Sequence, residues 1–232
     1  MRKLTIEEEI KVLETLSQDT FMASGSARCT YFCLPKLADF LGLSNKNAYV
    51  IKLGCGTGGF TQNKQEIEMY RDYQAKDHLA EIVAYGFFVE IMEAVGVRDC
   101  SDCGCLYDGV LSREKLVDDL MKLFSEEDAY AAADTILFLT DILGTSADNG
   151  QLGITEDNRI VSFDYGFRPD DGFAGQCSNY LTGIVEENSE GCKDYCGRLI
   201  KTLQDMSKCQ DLTLFHRIVK TIEYDILMNY QY

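Results

Sequence analysis

Hydrophobic residues recur with two different periods along this chain, and the periods separate helix-forming from strand-forming stretches. Thr5-x-x-Glu8 is a capping box followed by apolar residues at helical spacing, so it predicts an amphipathic helix over residues 6–17. Runs rich in β-branched and aromatic residues predict strands instead. The strand-forming runs lie at residues 20–33, 48–53, 79–95 and 152–163.

Helical patterns fill much of the remaining chain. A short helix is predicted over residues 35–43, and a longer one over residues 62–75 after a glycine-rich linker at 54–59. Residues 96–109 lack either period and predict an irregular insert. The further helices are predicted at residues 116–124, 129–143, 177–187, 191–206 and 211–229.

Two features of the N-terminal strands suggest a binding site for an anion. Lys52 interrupts an otherwise apolar strand, and burying its ammonium group is costly unless the group reaches a partner. The small residues Ser24, Gly25 and Ser26 join two strands and leave room for backbone N–H groups to approach a phosphate. The alternatives are a solvent-facing lysine on an edge strand and a plain hairpin turn.

A metal-binding carboxylate is suggested after the hairpin predicted over residues 152–163. Asp164 follows its second strand directly, next to an aromatic residue and the conformationally permissive Gly166. An acidic residue at the end of a strand is a common way to present a metal ligand. A polar loop at residues 145–151 precedes the hairpin, and a long helix precedes the loop.

This order of helix, polar loop, hairpin and acidic tripeptide resembles the catalytic segment of the protein-kinase-like superfamily. In the resemblance Asp164-Tyr165-Gly166 stands at the D-F-G motif, so Asp164 would hold Mg²⁺. Family spacing places Gln151 at the second metal ligand, normally Asn, and Ser146 at the catalytic Asp. Both are departures from the family. Asp148 is the nearest carboxylate that could replace the missing base, although it is out of register.

The N-terminal half carries the second part of the resemblance. Tyr49-Val50-Ile51-Lys52 resembles the V-A-I-K strand, whose lysine contacts the α- and β-phosphates of ATP. The resemblance implies that Glu66 pairs with Lys52, with Glu68 as the alternative. It also places the adenine-binding hinge near Met92 and Glu93. The degenerate motifs are most similar to those of small kinase-like proteins of bacteria and phages.

The resulting expectation is an α+β, bilobal protein-kinase-like fold. Residues 1–95 would form an antiparallel five-stranded lobe with an N-terminal helix, and residues 96–232 a mainly helical lobe carrying the hairpin. Mg-ATP would bind between the lobes. The first functional hypothesis is phosphoryl transfer to a hydroxyl of a protein or small molecule. The others are a pseudokinase that docks a partner without catalysis and, more remotely, an enzyme that transfers the nucleotide itself.

Composition and charge narrow the classes of protein. The chain has 232 residues, of which 46% are hydrophobic, enough for a substantial core. Its 38 acidic and 22 basic residues give a net charge of −16, which argues against nucleic acid and anionic membranes as partners. The N-terminal decapeptide lacks the apolar region of a signal peptide, so a cytoplasmic location is expected.

The ten cysteines suggest reduced thiols in an intracellular protein. Cys100, Cys103 and Cys105 form a C-x-x-C-x-C cluster within the predicted insert. Structural zinc is usually held by four ligands, so zinc here would require a fourth ligand from a distant cysteine or from one of the two histidines. Reduced surface thiols are the favoured interpretation, and zinc is the alternative.

Overall fold

The computed structural model describes residues 1–44, 47–73, 75–99, 112–143, 151–165, 182–183, 185 and 189–208. Its helices are Ile6–Thr15 (α1), Pro35–Phe40 (α2), Gly56–Tyr73 (α3), Arg113–Leu120 (α4), Glu126–Leu143 (α5) and Ser189–Lys208 (α6). Its strands are Arg2–Lys3 (β1), Phe21–Ser24 (β2), Arg28–Phe32 (β3), Tyr49–Gly54 (β4), Ile82–Tyr85 (β5), Val89–Glu93 (β6), Gly96–Asp99 (β7), Gln151–Ile154 (β8) and Ile160–Ser162 (β9). No described helix has the length and apolar character needed to cross a bilayer.

The larger sheet has six strands in the order β1-β5-β6-β4-β3-β2. Strands β2 to β6 lie where strands are predicted, but the expected five-stranded antiparallel sheet is wrong in one respect. Strand β1 adds a sixth member, and it pairs parallel to β5 with Arg2 opposite Ala84 and Lys3 opposite Tyr85. The Leu4 N–H extends this pairing to the Tyr85 carbonyl at 2.7 Å. Two residues are too few to show a period, so the sequence pattern does not reveal this strand.

The two faces of the larger sheet differ in character because side chains alternate along each strand. The core face carries buried apolar residues that pack against α1, α2 and α6. Its members include Cys29, Tyr31, Ile51, Leu53 and Ile91. The opposite face is called the lysine face here, and on β3 and β4 it carries Arg28, Thr30, Phe32, Val50 and Lys52. The register of these strands places Thr30 opposite Lys52 and Phe32 opposite Val50.

Helix α3 begins earlier than predicted, because the glycine-rich linker forms its first turn. Gly59 lies so close to the β2–β3 turn that an added Cβ would lie 2.2 Å from the Ala27 carbonyl oxygen. A Cβ on Gly54 would lie 2.7 Å from the Phe60 ring. These close approaches explain the glycines, whose weak helix propensity had suggested a linker.

The chain packs as two compact units. The first comprises Met1–Gln65, Ile82–Met92 and the described residues beyond 168, and the second comprises residues 66–81 and the described part of 93–167. Helix α3 and strand β6 therefore each contribute to both. This grouping differs from the predicted lobes of residues 1–95 and 96–232, because α6 packs against α1 in the first unit.

The second unit contains an antiparallel sheet in the order β7-β8-β9. Strands β8 and β9 form a hairpin where the sequence predicts one, and Asn158 in its turn has a φ of 62°. Strand β7 replaces the first residues of the predicted irregular insert. Helices α4 and α5 pack on this sheet through a core that includes Leu116, Ala132, Ile136, Leu152 and Ile160.

Candidate functional site

Lys52 lies in the interior of the six-stranded sheet and is 5% exposed. Its Nζ is 3.3 Å from Oε1 of Glu90 on the neighbouring strand β6. Nη1 of Arg28, on β3, is 3.7 Å from the same oxygen. A buried charge is tolerated when an opposite charge compensates for its lost hydration, and Glu90 supplies that charge within the first unit.

Sequence reasoning did not identify Glu90 and Arg28. Both resemble Lys52 in being charged residues within strands, because Glu90 interrupts the apolar run from Val89 to Met92 and Arg28 is the first residue of β3. The predicted partner, Glu66, is fully buried on α3 and belongs to the second unit. The pairing of Glu66 with Lys52, and the alternative with Glu68, remain predictions.

Asn63 connects helix α3 to the charged cluster of Lys52, Glu90 and Arg28. Its Oδ1 accepts a hydrogen bond from Arg28 Nη1 at 3.3 Å, and its Nδ2 donates to the Phe88 carbonyl at 3.2 Å. Asn63 is 3% exposed, so both bonds are shielded from water. The amide therefore fixes the Arg28 guanidinium against the helix and against the strand that carries Glu90.

The lysine face changes from buried and charged to open and apolar. Thr30 and Val50 are half-buried, and Phe32 is 40% exposed. Met92 lies on the same side of β6 as Glu90, two residues further along, and is fully buried. The structure thus brings two predicted nucleotide-binding residues, Lys52 and Met92, to one face of neighbouring strands.

The segment containing Ser24, Gly25 and Ser26 forms a hairpin turn between β2 and β3. The Gly25 N–H donates to the Arg28 carbonyl at 2.8 Å, which closes the turn. The Ala27 carbonyl accepts the Cys55 N–H at 2.8 Å, which fixes the turn against the end of β4. A phosphate-binding role for this turn remains a prediction.

Glu93 takes part in a separate network inside the second unit. Its N–H donates to the Glu81 carbonyl at 2.9 Å, and its Oε1 accepts the Glu81 N–H at 2.7 Å. Its carboxylate also receives two hydrogen bonds from Arg159. Since the Glu93 N–H is already donated to a carbonyl, an adenine at the predicted hinge would have to use other backbone groups.

The predicted metal ligands Gln151 and Asp164 are brought close along the hairpin. The Gln151 carbonyl accepts the N–H of Phe163, the residue before Asp164, at 3.4 Å. Tyr165 is buried, and its hydroxyl donates to the Ala80 carbonyl at 3.0 Å, which anchors the chain just after Asp164. A carboxylate and an amide oxygen suit Mg²⁺, which usually completes its shell with water and substrate phosphates.

Some predicted residues lie outside the described part of the chain. These are Ser146 and Asp148 of the polar loop and the cysteines Cys100, Cys103 and Cys105. Within the described ranges, no group of three or more His, Cys, Asp and Glu side chains is arranged to hold a metal ion.

No protein-family model matches the sequence, and no curated protein matches it significantly. Among solved structures, a mutant PknI kinase domain from Mycobacterium tuberculosis is 14% identical, with 74% of this chain and 72% of that chain covered and a TM-score of 0.34. An apo pseudokinase is 14% identical over 87% of this chain and 75% of that chain, with a TM-score of 0.37. The pseudokinase drought responsive inactive kinase 1, bound to ENMD-2076, is 12% identical over 96% of both chains, with a TM-score of 0.32. These TM-scores are too low to establish a shared fold.

Proposed function

We propose that the protein is kinase-like and binds Mg-ATP, with Lys52 contacting the phosphates. The observation that carries the proposal is the position of Lys52: a buried ammonium group in a central strand, 3.3 Å from a buried carboxylate, on the face that also carries Met92. Buried ion pairs seldom stabilise a protein more than apolar residues of similar size. A binding role explains why the charges are present.

The open part of the lysine face supports the adenosine half of the proposal. Val50 and Phe32 offer partly exposed apolar surface on the same face as Lys52. Nucleotide sites commonly combine apolar walls with a few placed charges. Asp164 is the proposed Mg²⁺ ligand, and Gln151 offers an amide oxygen for a second ion. When bound, Mg²⁺ would neutralise charge on the phosphates.

For phosphoryl transfer to a protein or small-molecule hydroxyl, we propose Asp148 as the general base in place of the missing aspartate. A second candidate function is favoured by two positions in the sequence. Serine at 146 cannot act as a base near neutral pH without an activating partner, and Gln151 has a longer side chain than the usual Asn. These residues favour a pseudokinase that binds nucleotide and docks a partner without transferring phosphate.

Isothermal titration calorimetry with Mg-ATP tests nucleotide binding. Wild-type protein should bind with a Kd between about 1 μM and 1 mM, in the usual range for enzyme substrates. Lys52→Met should weaken binding by at least about tenfold, because it removes a charged partner from the site. Lys11→Met is the matched control, since Lys11 is exposed and pairs with Glu14 on α1. An absence of binding by wild-type protein at millimolar ATP would refute the proposal.

A further inference from the structure

Arg28 and Lys52 share one carboxylate. Oε1 of Glu90 lies 3.3 Å from Lys52 Nζ and 3.7 Å from Arg28 Nη1. Because Coulomb energy varies inversely with distance, the two attractions differ by only about a tenth. The side chains of Arg28 and Lys52 are 7% and 6% exposed and that of Glu90 is fully buried, so solvent screens these attractions little.

We propose that Arg28 is a positioning residue that acts through Glu90 to maintain positive charge at Lys52 for the phosphates of the nucleotide. This inference rests on the proposed nucleotide binding. Arg28, Lys52 and Glu90 together carry one net positive charge, whereas Lys52 and Glu90 alone carry none. A carboxylate held from two sides competes less strongly with phosphate for the lysine than a carboxylate held by the lysine alone.

Asn63 holds Arg28 in this role. It accepts from Arg28 Nη1 and donates to the carbonyl of Phe88, two residues before Glu90 on the same chain segment. The guanidinium is therefore fixed beside the carboxylate by a helix residue that itself bonds to the backbone preceding Glu90. This geometry keeps the Arg28 guanidinium directed at Glu90. The effect of Arg28 on Lys52 should therefore come mainly from its charge.

The test measures binding of Mg-ATP, Mg-ADP, AMP and adenosine by calorimetry to three variants. Arg28→Met should weaken Mg-ATP binding on the order of tenfold, within the range for coupled neighbours. Glu90→Gln should bind Mg-ATP at least as tightly as wild type. The double variant restores the net charge of the cluster, so its affinity should return to within about threefold of wild type. Arg2→Met is the matched control, since Arg2 pairs with Glu8 on the same unit, and it should bind normally.

The dependence on phosphate number separates this role from a purely structural one. The loss of affinity caused by Arg28→Met should diminish from Mg-ATP to Mg-ADP to AMP and vanish for adenosine. A loosened fold would instead weaken the binding of all four ligands. Glu66 is another buried carboxylate, but its charge is the same in every variant. If Arg28→Met does not fold, Arg28→Lys, which keeps the charge, should bind within about threefold of wild type.

The outcomes distinguish this inference from the proposed function. If Lys52→Met loses Mg-ATP binding but Arg28→Met does not, the role of Arg28 is wrong and nucleotide binding stands. A folded Glu90→Gln variant with weaker Mg-ATP binding would also overturn the role. If wild-type protein binds no nucleotide, both proposals fail.

Discussion

Arg159 donates from Nη2 to both carboxylate oxygens of Glu93, at 3.0 and 2.9 Å. The same guanidinium donates from Nη1 to the Lys76 carbonyl at 2.6 Å and from Nε to Asp157 at 2.9 Å. One side chain thus connects the β8–β9 hairpin to the end of β6 and to the segment after α3. The Glu93 side chain is 9% exposed and that of Arg159 27%, so the pair is largely shielded from water.

Removing this guanidinium should therefore destabilise the second unit. Arg159→Met should lower the free energy of unfolding by roughly 1–3 kcal/mol, less than for a fully buried pair because Arg159 is partly exposed. Urea denaturation measures the change. Arg113→Met is the control, because Arg113 makes a similar pair with Asp134 on the surface and should matter little. Equal effects of the two substitutions would contradict this interpretation.

The carboxylate of Glu9 should make stability depend on pH. It accepts the N–H groups of Phe87 and Phe88 at 2.9 and 2.7 Å. Burial raises the Glu9 pKa from 4.5 to about 7, outweighing the backbone donors and the nearby Lys3 that lower it. Because the folded state favours the protonated form, this contribution to stability is complete below about pH 4.5 and is lost as pH rises to about 7.

Glu9→Gln removes this titration and keeps an acceptor oxygen. The free energy of unfolding of Glu9→Gln minus that of wild type should be more positive at pH 8 than at pH 5. The size of the pKa change sets this difference at roughly 2–3 kcal/mol. Urea denaturation at both pH values checks this. Glu14→Gln, on an exposed position of the same helix, should show no such difference. A Glu9→Gln profile parallel to wild type would show that Glu9 titrates normally.

Tyr195 on α6 should hold the junction between β4 and α3. Its hydroxyl donates to the Gly54 carbonyl at 3.0 Å and accepts the Gly56 N–H at 2.9 Å, in a buried position. Tyr195→Phe leaves both backbone groups without this partner, so it should cost about 1–3 kcal/mol of stability. It should also speed hydrogen exchange at the Gly56 amide.

Tyr31→Phe is the matched control for Tyr195→Phe. The Tyr31 hydroxyl lies 3.4 Å from the Cys192 sulfur, and a thiol is a weak hydrogen-bond partner. Its removal should cost less and should leave exchange at Gly56 unchanged. If Tyr31→Phe is the more destabilising variant, the junction is not held in the way the hydroxyl geometry indicates.

Ser146 and Asp148 should decide between the two proposed functions. A positioned general base typically contributes about 10²–10⁴-fold to a rate. Ser146→Asp should therefore raise γ-phosphate turnover well above background, and Asp148→Asn should abolish the natural activity. Phosphate release and autophosphorylation are the readouts, with Asp164→Ala as the blank.

Two outcomes of that experiment would contradict the role of Asp148 as the base or phosphoryl transfer itself. An Asp164-dependent activity that survives Asp148→Asn would exclude Asp148 as the base. If wild type and Ser146→Asp both match the blank while Mg-ATP still binds, the protein is a pseudokinase.

Local patterns predicted β2 to β6, β8 and β9, because a strand-forming run is a local property of the sequence, whereas β1 and β7 were not predicted. The run from Tyr49 to Leu53 identifies β4, and burial of the interrupting Lys52 agrees with the expectation that its charge has a partner. The identity of the neighbouring strand is not local. Glu90 lies 38 positions beyond Lys52 in the chain, and only the placement of β6 beside β4 brings the two together.

The start of α3 and the position of α6 were missed for a related reason. Glycines at 54–59 are poor helix formers, yet α3 begins at Gly56, and the close approach to Ala27 explains why position 59 is a glycine. The apolar stripe of α6 predicts a helix but does not say which surface it covers. That surface is formed by α1 and the core face of the larger sheet, which are distant from α6 in the sequence.

The packing of α6 against N-terminal elements has a consequence for biosynthesis. The strands of the larger sheet are complete once Glu93 has been made, whereas Cys192 and Tyr195 of α6 follow about 100 residues later. At 5–20 residues per second this interval lasts on the order of 5–20 s. Throughout it, the part of the core face that α6 will cover, including Tyr31, remains accessible to water, chaperones and oxidants. Any condition that prolongs translation between these residues should therefore increase aggregation of the nascent chain.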